Sequence, residues 1–138
     1  MKKLFLLILP VLFLTSCEIY IDEEPRRRDD RNLFTGHYRI EENSDTYGVI
    51  TEYSIEITKS YNSRSRIYIR NFYDSGIEVF ANVSGDRFTI PLQVVNGYEI
   101  SGRGYLYGSE IELIYDVVDL ESYRLVIDYC EAVAWRSY

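Results

Sequence analysis

The sequence predicts an all-β protein: an antiparallel up-and-down meander of about eight or nine strands, closed into a small barrel. Three observations carry this expectation. Beyond residue 32, apolar side chains alternate with polar ones at a period of two, the spacing that puts one face of a strand into a core. The stretches between are short and rich in Gly, Asn, Asp and Ser, with no gap long enough for a crossover helix, so successive strands pair antiparallel. The 14 tyrosines and 6 phenylalanines favour strands and supply the apolar area a small core needs. A sheet of this size must hide its edges. Closure does so most completely, and a β-sandwich is the alternative.

Each element follows from its own pattern. In 34–42, Tyr38, Ile40 and Glu42 share a face opposite His37, Arg39 and Glu41. In 47–58, Tyr47, Val49, Thr51, Tyr53, Ile55 and Ile57 line one side, the clearest amphipathic strand in the chain. The run 65–72 sets Ile67, Ile69 and Asn71 against Arg66, Tyr68 and Arg70, and 77–83 turns Ile77, Val79, Ala81 and Val83 inward. Phe88, Ile90 and Leu92 come next, then Tyr98 and Ile100, then a short strand around Tyr105 and Tyr107. Gly102 and Gly104 stand between the last two, where they permit a bulge or sharp bend. In 110–118 the inward set is Ile111, Leu113, Tyr115 and Val117; in 122–130 it is Tyr123, Leu125, Ile127 and Tyr129. Turn chemistry separates these runs, and Asn96-Gly97 is the preferred pair for a type I′ hairpin.

The first 17 residues have a different logic. Two lysines precede an apolar run from Leu4 to Leu14, too short to span a membrane, which takes ~20 residues. Leu14-Thr15-Ser16-Cys17 then resembles the bacterial lipobox, in which the cysteine thiol receives a diacylglycerol and the leader is cut before it. The expected organisation is a leader in 1–16, lipidated Cys17 and a flexible charged tether in 17–32, and a β-barrel domain in 33–138. Several acyl chains on Cys17 give durable anchoring, because each buried methylene contributes roughly 0.8 kcal/mol. Glu18, not Asp, follows the cysteine, which favours the outer membrane over the inner. Asp22-Glu23-Glu24 resembles the export signal of surface lipoproteins in Bacteroidota, and equally fits a solvated spacer. Arg26, Arg27 and Arg28 offer contacts to lipid phosphates, although Asp29 and Asp30 stand beside them to neutralise the run.

Composition excludes some partners. Without Lys2 and Lys3, 13 basic side chains face 22 acidic ones, a charge of −9. Such a chain has no general attraction for nucleic acid or for anionic lipid. With Cys17 acylated, Cys130 has no partner for a disulfide, so packing must supply the stability and a buried, inert thiol is expected.

The order of several segments is informative: Phe34-Thr35-Gly36-His37-Tyr38, Tyr53-Ser54-Ile55-Glu56-Ile57, Val79-Phe80-Ala81-Asn82-Val83-Ser84-Gly85, Phe88-Thr89-Ile90-Pro91-Leu92-Gln93 and Ile100-Ser101-Gly102-Arg103-Gly104. Across about residues 33–129 the chain resembles small Bacteroidota lipoproteins with a lipocalin-like, or calycin-like, domain. That resemblance implies a barrel and an envelope location. It carries over no catalytic residue and no ligand.

The residues themselves offer little enzymatic chemistry. His37 is the only histidine and lies on a polar face, with nothing to complete a zinc site. Glu41 and Glu42 point to opposite faces and cannot act as a catalytic pair. No enzyme activity, metal or cofactor is expected. Glu42 shares a side with Tyr38 and Ile40, and an inward carboxylate must be paired or stand near an opening; Asn71 falls under the same argument. Tyr38, Glu42, Tyr53, Asn71, Tyr115 and Tyr123 are the candidate ligand or rim contacts. Two functions fit: a tethered binding module for a small apolar or glycan-like ligand, or an interaction subunit that docks an envelope protein through Tyr68, Phe72 and Phe80 on the outer face.

Overall fold

The structure, a computed structural model, describes residues 27–138. Cys17, the leader and the acidic run at 22–24 lie outside the described residues. Eight strands follow one another: β1 (Gly36–Ser44), β2 (Val49–Lys59), β3 (Arg66–Phe72), β4 (Ile77–Ser84), β5 (Arg87–Val95), β6 (Tyr98–Tyr107), β7 (Glu110–Asp119) and β8 (Ile127–Arg136). Each pairs antiparallel with the next, and β8 returns to β1, from Tyr38 against Arg136 to Ser44 against Cys130. The meander is a closed barrel, as expected, and not a sandwich.

The chain enters at one end of the barrel. A 3-10 turn, Asp30–Leu33, sits there with the β2–β3, β4–β5 and β6–β7 connections and the C terminus. The far end carries the β1–β2, β3–β4, β5–β6 and β7–β8 connections. At Asn96 and Gly97 both φ angles are positive, 48° and 83°, as a type I′ turn demands.

The entry end is closed by its own residues. Asp29 caps the 3-10 turn by accepting from the Arg31 backbone N–H at 3.1 Å, and the Arg31 guanidinium donates to the Ser60 and Ser63 carbonyls. These bonds draw the last part of the charged segment into the folded unit. Phe34, fully buried, then meets Phe88 edge-on at 5.2 Å. From β8, Arg136 donates to the Leu33 and Thr35 carbonyls and lies over the Tyr38 ring at 5.2 Å, so the last strand holds the first residues of the domain.

Four expectations about phase change. Tyr98 to Tyr107 form one strand rather than two, because Gly102 and Gly104 continue the ladder with β7 instead of breaking it. Asn71 adopts a φ of 57° and shifts the β3–β4 register. That bulge, an extra residue in one strand, turns Phe72 into the core, where it is 2% exposed. Leu92 falls outside because a second register shift lies between Ile90 and Gln93, next to Pro91, which has no N–H for the ladder. The last strand is 127–136, not 122–130, and its inward residues are Asp128, Cys130, Ala132 and Ala134. Tyr123, Leu125, Ile127 and Tyr129 are therefore exposed.

Candidate functional site

The interior is filled by side chains from every strand. Two aromatic rings take their places because β6 has no side chains to oppose them: Tyr115 lies across from Gly102, and Phe88 across from Gly104. A Cβ added at Gly104 would sit 2.2 Å from the Phe88 ring. Phe72 packs on Tyr115 at 4.6 Å between centroids.

Among these rings lies one polar group. Glu42 projects inward from β1 at 5% exposure and accepts hydrogen bonds from the Tyr53 and Tyr115 hydroxyls through the same oxygen. The two hydroxyls stand 3.4 Å apart. Burial pushes the Glu42 carboxyl above its ordinary pKa, against the phenol hydrogen bonds, and the charges of Asp128 and Asp74 add to the rise. Burial and the Glu42 charge also push up Tyr53, and Tyr115 rises chiefly by burial. Neither phenol is disposed to ionise.

A second carboxylate continues the network toward the far end. Asp128 accepts from the Ser44 hydroxyl and, at 2.6 Å, from the Tyr73 hydroxyl of the β3–β4 connection. Ser44 in turn accepts from the Tyr47 backbone N–H at 3.0 Å. The pair Glu42 and Asp128 thus ties β1, β2, β7, β8 and the β3–β4 connection from inside. Cys130 lies between, 1% exposed, and burial raises its thiol pKa strongly. Such a thiol stays protonated.

The candidate residues now divide. Glu42, Tyr53 and Tyr115 come together as one cluster. Tyr38 is buried toward the entry end, where its hydroxyl accepts from Arg136 at 2.8 Å. Its pKa is raised by burial. Asn71 is not an inward contact: its amide donates to the Ser54 carbonyl at 2.8 Å and accepts from the Gly76 N–H. This side chain bridges β2 and β3 where their ladder has ended. Tyr123 stands fully exposed in the β7–β8 connection and touches no interior group. Sequence reasoning missed Asp128, Ser44 and Tyr73; the alternation Asp128, Cys130, Ala132, Ala134 was the available signal for the first.

One consequence is measurable. A raised folded pKa means the Glu42 contribution is whole below the unfolded pKa and is lost as pH rises through the folded value. Glu42→Gln keeps an acceptor for the phenols and removes the buried charge. It is expected to stabilise the protein at pH 8, where the parent has lost the contribution of its raised carboxyl, and to change little at pH 4. Urea midpoints at the two pH values test this; equal losses at both would refute it.

Three features lie outside the barrel wall. The far end exposes Tyr47, Val49 and Ile50 from the β1–β2 hairpin beside Leu120, Tyr123, Leu125 and Val126 from the β7–β8 connection and Ile127 at the start of β8. The two segments are joined, with the Asp45 N–H on the Tyr129 carbonyl at 2.8 Å and the Thr46 hydroxyl on the Ile127 carbonyl at 3.0 Å. The outer wall has less to offer than expected. Phe72 is buried, Tyr68 and Phe80 are half-buried, and the Arg66 guanidinium covers the Phe80 ring at 4.3 Å. At the entry end, a groove is lined by arginines in and just before the 3-10 turn and in the β2–β3 connection. No protein-family model matches the chain, and a search of curated proteins finds no match either. The eight-stranded closed barrel, consistent with a calycin-like fold, is established by its own strand pairing.

Proposed function

We propose that this protein is a non-enzymatic interaction module of the bacterial envelope, tethered by acylated Cys17 and docking a protein partner through the far end of its barrel. The exposed apolar surface formed by the β1–β2 hairpin and the β7–β8 connection carries this reading. Contiguous exposed apolar side chains on a charged protein mark interaction sites, and tyrosine is favoured at binding hot spots. Around it stand Asp45, Asp74, Asp119 and Glu121, with Arg124 the one cation of the far-end connections. The partner expected is therefore a protein surface with an apolar centre and a basic rim. Connectivity supports the orientation: the segment from Cys17 joins the barrel at the opposite end, leaving the apolar end directed away from an anchoring membrane. Placement in the outer membrane rests on Glu18 and on the likeness to Bacteroidota lipoproteins.

Capture of a small apolar or glycan-like ligand inside the barrel is the weaker reading, because Phe72, Phe88, Tyr53 and Tyr115 occupy that space. A photo-cross-linking residue at Tyr123, compared with one at Tyr107 on the entry side, tests the proposal in native membranes. Discrete protein adducts from position 123 and not from 107 are expected, and Leu125→Asp should abolish them. Adducts to lipid alone from position 123 would overturn the docking role.

A further inference from the structure

The entry end carries a second, chemically opposite surface. A groove of about 570 Å³ is lined by Arg27, Arg28, Arg31 and Arg64 with Asp29, Asp30, Ser65 and Ser84. In a chain of net charge −7 this is a local excess of positive charge. The acidic neighbours do not cancel it. Asp29 is held by Arg31 at 2.8 Å and by Lys59 at 3.1 Å, and the Arg31 hydrogen bond keeps its carboxyl far below the usual range. Asp30 accepts from the Gly85 backbone N–H at 3.2 Å. Asp29 is thus engaged by Arg31 and Lys59 and not by Arg27 or Arg28, while Asp30 keeps its charge at the groove. Among the described residues, Arg27, Arg28 and Arg64 form no ion pair.

A neighbouring groove shows what pairing does to such a surface. It is larger, about 800 Å³, and holds three cations, Arg31 among them. Yet Arg31 and Lys59 share Asp29, and Arg70 binds Glu56 and Glu78 at 3.1 and 2.8 Å. Its charge is already balanced within the protein. The smaller groove keeps Arg27, Arg28 and Arg64 open to solvent, with two serine hydroxyls beside them.

We propose that the groove of Arg27, Arg28 and Arg64 binds a phosphate group. Guanidinium forks match phosphate oxygens two at a time, and Ser65 and Ser84 add hydroxyl donors. The same chemistry serves a phospholipid headgroup or free phosphate. The site lies at the end where the anchored segment enters and is independent of the docking surface at the far end.

The test uses the full chain in maltoside micelles and follows the arginine Nε resonances by NMR. Inorganic phosphate is titrated first, then micelles doped with phosphatidylglycerol. Saturable shifts at Arg27, Arg28 and Arg64 are expected; in the Arg28→Gln, Arg64→Gln double variant the remaining Arg27 resonance should report affinity at least tenfold weaker, and Arg103→Gln should leave the affinity unchanged. Higher ionic strength should weaken them as well. The substituted side chains are exposed, so an unchanged thermal midpoint should confirm that the double variant is folded. Shifts with doped micelles that free phosphate competes away identify a lipid headgroup as the source; shifts with free phosphate alone identify the ion. Both support the site. No saturable shift from either, or equal affinity in the double variant, overturns it.

Discussion

Gly102→Ala is expected to destabilise the barrel by about 3 kcal/mol, at the upper end of the range for overpacking. The reason is what a methyl group would strike. Its position is 2.4 Å from the Tyr115 Cβ, 2.6 Å from the Ile114 carbonyl oxygen and 2.8 Å from the Tyr115 Cα. None of these is the free end of a side chain. Relief requires β6 to move away from β7 at the centre of a ladder that runs from Tyr98 to Tyr107. Such a shift also displaces the Tyr115 hydroxyl from Glu42, so the buried carboxyl loses a donor. Gly108→Ala is the contrasting variant: open space surrounds that position, and only its positive φ of 62° resists a side chain, at a cost of about 1 kcal/mol. Chemical denaturation of the two variants compares the mechanisms directly. A Gly102→Ala protein within 1 kcal/mol of the parent would show that the β6–β7 wall yields.

How far the sequence could be read depends on whether neighbouring residues keep a common phase. In β1 and β7 the alternation is uninterrupted, and Tyr38, Ile40, Glu42, Leu113 and Tyr115 were placed inward correctly. In β3 a single residue defeats the pattern. Asn71 enters the left-handed region, and the phase beyond it reverses, so an outward Phe72 becomes a core residue. The last strand fails for a different reason. Its inward side chains are small or polar, since Cys130 and Ala132 face Tyr115 and Leu113 across the β7–β8 ladder. The larger side chains of 123–129 imitated a core face and instead form part of the exposed far-end surface. Within the interior cluster, Glu42 was legible as a carboxylate in need of partners. That Tyr53 and Tyr115 both serve it was not, because 11 and 73 residues separate them from it. Closure of the barrel sets that distance, and no local pattern encodes it.

The question of cavity or core also has a decisive variant. Phe88→Ala is expected to cost about 3–5 kcal/mol, the range for removing a buried phenyl group. Phe88 is 1% exposed and lies between Phe34, which closes the entry end, and Gly104 on β6. No neighbour can fill its place without releasing one of those contacts. The vacated space is apolar and enclosed, and such a space stays dry and admits small apolar molecules. Benzene or xenon should therefore raise the thermal midpoint of Phe88→Ala and leave the parent protein unaffected. Gly104→Ala supplies the internal check. Alone it places a methyl 2.2 Å from the Phe88 ring and costs about 1–3 kcal/mol; combined with Phe88→Ala it meets no ring, so the two effects should couple by at least 1 kcal/mol. Additive losses, or stabilisation of the parent by the same probes, would mean that the native interior is already open. If instead only the truncated protein takes up a probe, the lumen is core, and recognition belongs to the outer surfaces at the two ends of the barrel.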